Sequence, residues 1–237
     1  MLSVKPWRTE AVIFFALAQV SFVLLGALAI GLLQKIGVSG FKGDNDFGNI
    51  LLGTVTFQGA TWILMAIFFR LHGMGLSEGL GLKKKNLLRS LALALVVFLL
   101  VLPVAYGLGQ ASTMLMEKMH WTPKDEAAVT LVTEASSRAS AIYLGFFAVV
   151  LAPVAEEFIF RGMLFPFVKQ LGFPKTAWIG VSLLFALIHL TPAYFVPLFV
   201  LALALTWLYE KTDNLLAPIF AHALFNAVGI VLLDFFS

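Results

Sequence analysis

Cysteine is absent from the 237 residues of this chain, and charged side chains are scarce. Without a thiol, the protein has no disulfide, no thiolate metal site and no cysteine nucleophile. Charged residues make up 12% of the chain, against about 25% in soluble domains. Hydrophobic residues make up 60%, and the mean hydropathy is +0.95. A soluble fold cannot hide so much apolar surface, so the lipid bilayer must be its main solvent.

The small positive net charge of +3 does not indicate a nucleic-acid partner, because the basic residues lie in short segments beside apolar runs. In membrane proteins such residues mark the cytoplasmic side. The residues of this basic side are Lys5, Arg8, Arg70, Lys83, Lys84, Lys85, Arg89, Lys169, Lys175 and Lys211. The opposite loops mix both signs, for example Lys42 with Asp44 and Asp46. We therefore predict a multi-pass protein of the cell membrane whose N-terminus is cytoplasmic.

Seven apolar runs predict membrane helices, since a spanning helix needs about 20 mostly apolar residues. The runs are Ala11 to about Gln34, Ile50 to about Leu71, Leu87 to about Gln110, Ala141 to about Lys169, Lys175 to about His189, Pro197 to Tyr209 and Asn214 to about Phe235. A polar segment from Glu117 to about Ser140 is predicted to be amphipathic or at the surface. The fold class is therefore an all-α polytopic bundle of about seven transmembrane helices. We predict a single domain over 1–237, with the first three helices in 1–140 and the last four in 141–237.

Ionisable residues inside the predicted helices are concentrated in the fourth, fifth and seventh, and such residues are costly and usually functional. The fourth helix carries Glu156, Glu157 and Arg161. Arg161 lies four residues after Glu157, on the same helix face, so these two can neutralise each other. Glu156 points about 100° away and is left as a candidate general base. The alternative is a buried ion-pair network that only holds helices together.

The fifth and seventh helices add two imidazoles and an amide. His189 ends the fifth, where a lone histidine is more often an interfacial residue, and His222 and Asn226 lie one turn apart on the seventh. An interhelical hydrogen-bonding pair is the plain explanation for the latter two. However, Glu156, His189 and Asn226 all lie about 20 Å from the nearest basic-side turn, and His222 about 14 Å, if the helices are straight through Pro153 and Pro218. Three helices thus place polar groups in one layer, which favours a functional site.

A carboxylate, two imidazoles and an amide are suited to hydrolysis of a peptide bond. Glu156 and His189 can hold and deprotonate a water molecule, while His222 and Asn226 donate hydrogen bonds to the oxyanion. In a second version, Glu156, His189 and His222 are zinc ligands with an open position for water. The chain has no His-Glu-x-x-His run, which disfavours the usual zinc-protease arrangement without excluding a metal. The favoured mechanism therefore requires no cofactor, and zinc stays compatible with the same residues.

Three short motifs resemble those of a known family. Glu-Glu-x-x-x-Arg (Glu156, Glu157, Arg161), Phe-x-x-x-His (Phe185, His189) and His-x-x-x-Asn (His222, Asn226) look like the motifs of the CAAX prenyl endopeptidase type II and bacteriocin-processing (CPBP, or Abi) intramembrane proteases. Their order, spacing and helix placement fit. The resemblance covers about Ala141 to Val228, and the first three helices match only as hydrophobic spans.

The resemblance implies a membrane-embedded catalytic cavity between the fourth, fifth and seventh helices. It implies Glu156 as general base, His189 as its partner on water, and His222 with Asn226 as oxyanion hole, with Glu157 and Arg161 in support. Members are often called metalloproteases, and a metal-free glutamate mechanism is also proposed for them. The expected partner besides the bilayer is a membrane-associated protein or peptide substrate.

Two other functions fit the same polar residues. A non-catalytic membrane scaffold or bacteriocin-immunity protein would keep them for folding or partner binding. A proton-coupled transporter would use them as a relay, but the sequence has neither an inverted repeat nor paired broken helices.

Overall fold

The computed structural model describes residues 2–42, 47–80, 86–123, 132 and 138–236, and the elements assigned in them are helical. Helix α1 is Thr9–Lys35, and helix α2 covers 47–71 as Phe47–Thr54, a π-helical segment Val55–Gly59, and Ala60–Leu71. A single turn, Leu76–Gly79, precedes helix α3, Leu87–Lys118. The predicted third span was too short by two turns. Residues 111–118 contain no proline or glycine, so nothing in them ends the helix.

Helix α4 covers 138–170 and is the long helix that the sequence predicted. It runs through Arg138–Phe146, a π segment Phe147–Leu151, Ala152–Glu157, a second π segment Phe158–Leu164, and Phe165–Gln170. Helix α5 is Pro174–Ile188, a 3₁₀ turn is Pro192–Tyr194, α6 is Phe195–Thr212 and α7 is Leu216–Phe236. All seven predicted apolar helices are therefore present.

Five of the helices are long and apolar enough to cross a bilayer: Thr9–Lys35, Gly48–Leu71, Leu87–Lys118, Ala141–Gln170 and Pro192–Thr212. The stretches Pro174–Ile188 and Leu216–Leu232 are shorter apolar helices. This composition confirms a polytopic helical membrane bundle. Most of the predicted polar segment, at 124–131 and 133–137, lies outside the described residues, as do Lys83, Lys84, Lys85, Asp44 and Asp46.

A proline follows shortly after each π segment of α4, and the helix continues through both positions. At the end of the first, the N–H of Ala152 donates to the carbonyl of Phe147, five residues back, and Pro153 follows. At the end of the second, the N–H of Phe165 donates to the carbonyl of Phe160, and Pro166 follows. A proline inside a helix removes a hydrogen bond and usually kinks or breaks the helix. In α4 each π segment takes about one more residue per turn than an α-helix does. The helix therefore continues past Pro153.

The structure divides into two compact units, one of Met1–Lys5 with Ser77–Ser237 and one of Pro6–Leu76. We call them the large and the small unit; the prediction of a single domain stays a prediction. In the large unit, α5 and α6 pack closely, and α3 packs against α6 and α7. Aromatic side chains of α4 and α5 are fully enclosed there, including Phe158, Phe160 and Phe185. This packing holds α4 next to α5, α6 and α7.

The small unit consists of α1 and α2. Phe15 of α1 meets Phe68 of α2 edge to face, with ring centroids 6.2 Å apart. The buried Gln19 donates from Nε2 to the carbonyl of Phe57, at 2.9 Å, within the π segment of α2. Thr61 Oγ1 lies 3.1 Å from Gln19 Oε1 and 2.7 Å from the carbonyl of Phe57, so its one hydrogen is shared between these two acceptors. The groups that contact this buried amide are therefore neutral.

The first residues of the chain belong to the large unit, where they join the ends of two helices. The N–H of Lys5 donates to Gln170 Oε1 at 2.5 Å, at the end of α4. The ammonium of Lys5 pairs with Asp213 at 2.6 Å, just after α6. The N-terminus therefore lies at the same end of the large unit as the α4–α5 and α6–α7 turns, the arrangement that the loop charges predict.

Candidate active site

The adjacent carboxylates of α4 have different surroundings. Glu157 is fully buried and its Oε1 accepts a hydrogen bond from Arg161 Nη1 at 2.9 Å. This is the one-turn pair that the sequence predicted. A buried charge without a partner is very unfavourable, so the ion pair explains how Glu157 and Arg161 can both be enclosed.

Arg161 is held by further groups that the sequence analysis missed. Its Nη2 donates to the carbonyl of Ala202 at 3.0 Å and its Nε to Thr206 Oγ1 at 3.3 Å, both on α6. The guanidinium carbon lies 4.6 Å from the ring centroid of Phe185, on α5. Ser182 Oγ is within 3.3 Å of Thr206 Oγ1. Lone hydroxyl residues on apolar helices give no distinctive sequence signal, and only the packing shows that they surround one cation.

His222 connects α7 to both carboxylates. Its Nδ1 lies 2.8 Å from Glu157 Oε1, and its Nε2 lies 3.8 Å from Glu156 Oε2. Because a carboxylate accepts, the Nδ1 of His222 carries a proton that it donates to Glu157. Glu157 Oε1 therefore accepts from both Arg161 and His222, while Glu157 Oε2 has no hydrogen-bond partner among the described residues. Its supporting role extends to orienting His222, which the sequence analysis did not foresee.

Glu156 is the accessible member of the pair. Its side chain is 14% exposed, whereas that of Glu157 is 0% exposed. The distance of 3.8 Å to His222 Nε2 is too long for a hydrogen bond and leaves the two groups as close neighbours. The carboxylate that the sequence proposed as the base is thus the one that can reach water.

His189 stands directly after the last residue of α5. The helix ends there because Leu190 has a left-handed φ of +53° and Thr191, before Pro192, is extended. The Nδ1 of His189 lies 2.7 Å from the carbonyl of Phe185, so this nitrogen is the donor. In the neutral ring the lone pair of His189 is therefore on Nε2, where it can accept a hydrogen bond from water.

Asn226 is oriented by a carbonyl that α4 leaves open. Its Nδ2 donates to the carbonyl of Ala148 at 2.9 Å. Ala152 bonds five residues back to Phe147, and the same register would pair residue 153 with Ala148. Residue 153 is proline and has no N–H to donate. The Ala148 carbonyl therefore lacks that helical donor and is available to Asn226, whose second Nδ2 hydrogen remains for another acceptor.

The ring of Phe185 lies against both histidines of the site. Its centroid lies 4.8 Å from that of His189 and 5.7 Å from that of His222. Residues from α4, α5 and α7 therefore meet around Phe185, as the common depth of the polar residues predicted. The catalytic cavity between these helices stays a prediction.

The structure does not bring the alternative zinc ligands Glu156, His189 and His222 together as a set, since within the described part of the chain no group of three His, Asp or Glu side chains could hold a metal ion. The Nδ1 of His222 donates to Glu157, so its Nε2 is the nitrogen that would bind a metal. The zinc alternative stays a prediction.

Comparison with known proteins agrees with the motif resemblance. Residues 138–228 match the family model described as type II CAAX prenyl endopeptidase, Rce1-like. The UPF0177 protein YxdF of Lactococcus lactis subsp. lactis (strain IL1403) is 33% identical over 91 residues, which are 37% of this chain and 50% of that protein. The chain thus matches about half the length of this curated relative. No solved structure matches. The matched segment contains Glu156, His189, His222 and Asn226.

Proposed function

Because residues 138–228 match the family model described as type II CAAX prenyl endopeptidase, Rce1-like, we propose that this multi-pass membrane protein is an intramembrane endopeptidase. It hydrolyses a peptide bond of a membrane-associated substrate, of which CAAX-type proteins are the class suggested by the family. Its N-terminus is cytoplasmic, since the basic segments lie on that side. The reaction uses an activated water and no covalent intermediate.

Glu156 and His189 activate the water. Glu156 is the partly exposed carboxylate of the pair, and His189 presents the unprotonated Nε2 because its Nδ1 is bonded to Phe185. Water donates one proton to Glu156 as its oxygen attacks the substrate carbonyl carbon. A positioned base of this kind contributes about 10²- to 10⁴-fold to the rate.

His222 and Asn226 stabilise the tetrahedral oxyanion. Asn226 offers its second Nδ2 hydrogen while the first is held by Ala148. His222 can donate from Nε2 only when the ring carries both protons, since the Nδ1 proton is used on Glu157. Glu156 then passes its proton to the leaving amine nitrogen, the C–N bond breaks, and an acid and an amine leave.

The difference between Glu156 and Glu157 is the observation that carries the proposal. Glu157, Arg161 and His222 already form a buried ion-pair network that can hold helices together, with Glu157 Oε2 left without a hydrogen-bond partner among the described residues. Glu156 adds a second carboxylate beside His222 with part of its surface open, which a network for folding alone does not require. The buried network also favours the second candidate, a non-catalytic scaffold or bacteriocin-immunity protein, in which Glu156 is dispensable.

The test compares wild-type protein with Glu156→Gln after purification. We expect peptide cleavage in reconstituted vesicles to fall about 10²- to 10⁴-fold, with little change in thermal unfolding because the substitution keeps the size of a partly exposed side chain. A proteomic comparison of wild-type and Glu156→Gln cells supplies the candidate substrates. An unchanged cleavage rate in Glu156→Gln would sink the mechanism, and unchanged biology in Glu156→Gln cells would favour the scaffold.

The same preparation tests the metal. The proposed mechanism predicts that chelation leaves the wild-type cleavage rate unchanged and that purified protein contains far less than one zinc per chain. Stoichiometric zinc together with chelator-sensitive activity would replace this mechanism by a metal-dependent one.

A further inference from the structure

Two cavities flank Trp207 near the end of α6, at the basic end of the large unit. The smaller, about 230 Å³, lies between α4, α5 and α6 and is lined by Lys169, Lys175 and Glu210 among others. The larger, about 630 Å³, lies between the start of α3 and the end of α6. Neither cavity includes a residue of the candidate active site.

Among the described residues, the lining of the larger cavity has two cations and no carboxylate. The cations are Arg89 and Lys211. For Arg89 the described part of the chain offers no ion-pair partner, and the contact recorded for Lys211 is with the Trp207 ring, 5.8 Å from its centroid. Within the described residues, these two positive charges at the cavity therefore have no carboxylate paired with them.

The acidic residues at the end of α6 and just after it are already paired elsewhere. Lys169 lies 2.6 Å from both carboxylate oxygens of Glu210, on the side of the smaller cavity. Lys5 lies 2.6 Å from Asp213. The smaller cavity is thus partly neutralised by its own ion pair, whereas the larger one has a net charge that an anionic ligand would balance.

The walls of the larger cavity change from polar to apolar along α3. Asn86 and Ser90 lie beside Arg89 in the first turn, followed by Leu93 and Val96 one and two turns further into the helix. Val96 is 51% exposed. Polar groups at the helix end and apolar groups toward the middle match the headgroup and acyl chain of a lipid. Tryptophan and basic residues are also typical of the membrane–water interface.

We propose that the larger cavity binds an anionic phospholipid, with Arg89 and Lys211 contacting the phosphate and the acyl chain lying along Leu93 and Val96. Basic pockets between transmembrane helices are known to bind anionic headgroups. A free phosphate ion would use the two cations but not the apolar wall. This site is independent of peptide hydrolysis.

The experiment measures lipid binding to the purified full chain by native mass spectrometry, with short-chain phosphatidylglycerol and phosphatidylcholine as probes. We expect wild-type protein to prefer phosphatidylglycerol by about tenfold, the effect of roughly one charge-assisted contact. Arg89→Gln and Lys211→Gln should each remove most of that preference. Lys175→Gln is the matched control, because it deletes one exposed positive charge at the same end but lines the smaller cavity.

Three results would overturn the proposal. An equal loss of the phosphatidylglycerol preference in Lys175→Gln would mean that the lipids respond to the charge of the whole surface. Displacement of phosphatidylglycerol by millimolar inorganic phosphate would identify a free-anion site. Equal binding of both lipids by wild-type protein would remove the headgroup preference. Thermal unfolding of each variant in phosphatidylcholine vesicles checks that the exposed substitutions leave the fold intact.

Discussion

The small unit and the large unit each contain a side-chain amide that donates a hydrogen bond to a carbonyl in a π segment. In the small unit, Gln19 of α1 donates to Phe57 in the π segment of α2. In the large unit, Asn226 of α7 donates to Ala148 in the first π segment of α4. A π segment shifts hydrogen-bond partners by one residue and appears frequently at functional sites. The shared feature shows that such a segment alone does not identify the active site.

The difference lies in what surrounds each amide. The side-chain oxygen of Gln19 lies beside the neutral hydroxyl of Thr61. Around Asn226 the large unit places ionisable groups, including the buried Glu157–Arg161 pair and His222. Burying charge in a membrane protein is expensive and a neutral cluster would hold helices together as well. The charged residues are therefore the part of the molecule that a purely structural role explains least well.

Replacing Arg161 by methionine should give the largest effect on stability. It leaves the carboxylate of Glu157 buried beside His222 without its guanidinium partner. We expect a loss of about 3–5 kcal/mol in the free energy of unfolding, measured by reversible unfolding in detergent. Adding Glu157→Gln should restore part of it, since the uncompensated charge is then removed. A loss below about 1 kcal/mol in Arg161→Met would contradict the buried ion pair.

Replacing Pro153 by alanine should have a smaller effect, confined to catalysis. The new N–H competes with Asn226 for the Ala148 carbonyl, so the amide loses its fixed orientation. We expect kcat to fall about tenfold, as for one hydrogen bond of about 1.4 kcal/mol, with KM unchanged and stability equal or higher.

Two controls separate this positioning role from a general change in α4. Pro166→Ala is the matched substitution after the second π segment and should leave kcat unchanged. In an Asn226→Ala background, Pro153→Ala should have no further effect, because coupled residues are not additive. Equal losses from both proline variants, or an additive double variant, would show that Pro153 does not act through Asn226.

Replacing Thr61 by valine should give the smallest effect. It removes the neutral hydroxyl hydrogen bond that Thr61 shares between Gln19 and the carbonyl of Phe57, and should cost about 1 kcal/mol of unfolding free energy. Cleavage activity should stay at the wild-type level, since the small unit contains none of the proposed catalytic residues. A loss of cleavage as large as that in Glu156→Gln would contradict the assignment of the reacting groups to the large unit.

The sequence by itself determined the membrane class, the seven apolar helices and the residues of the three motifs. Apolar composition and helical spacing are local properties, and Glu157 with Arg161 is a one-turn pair that spacing alone predicts. It left α3 two turns too short, because the apolar run ends near Gln110 whereas the helix continues to Lys118 through 111–118, which contain no proline or glycine.

Only the tertiary structure decided how the polar groups share their hydrogen bonds. That His222 bonds to Glu157, that Thr206 and Ala202 hold Arg161, and that Asn226 takes a carbonyl left open by Pro153 all depend on contacts between helices. No spacing within one helix encodes such contacts, since they are set by how neighbouring helices pack. The ion pairs at the end of α6 also depend on contacts between helices. They engage the nearby acidic residues, so the larger cavity keeps its positive charges.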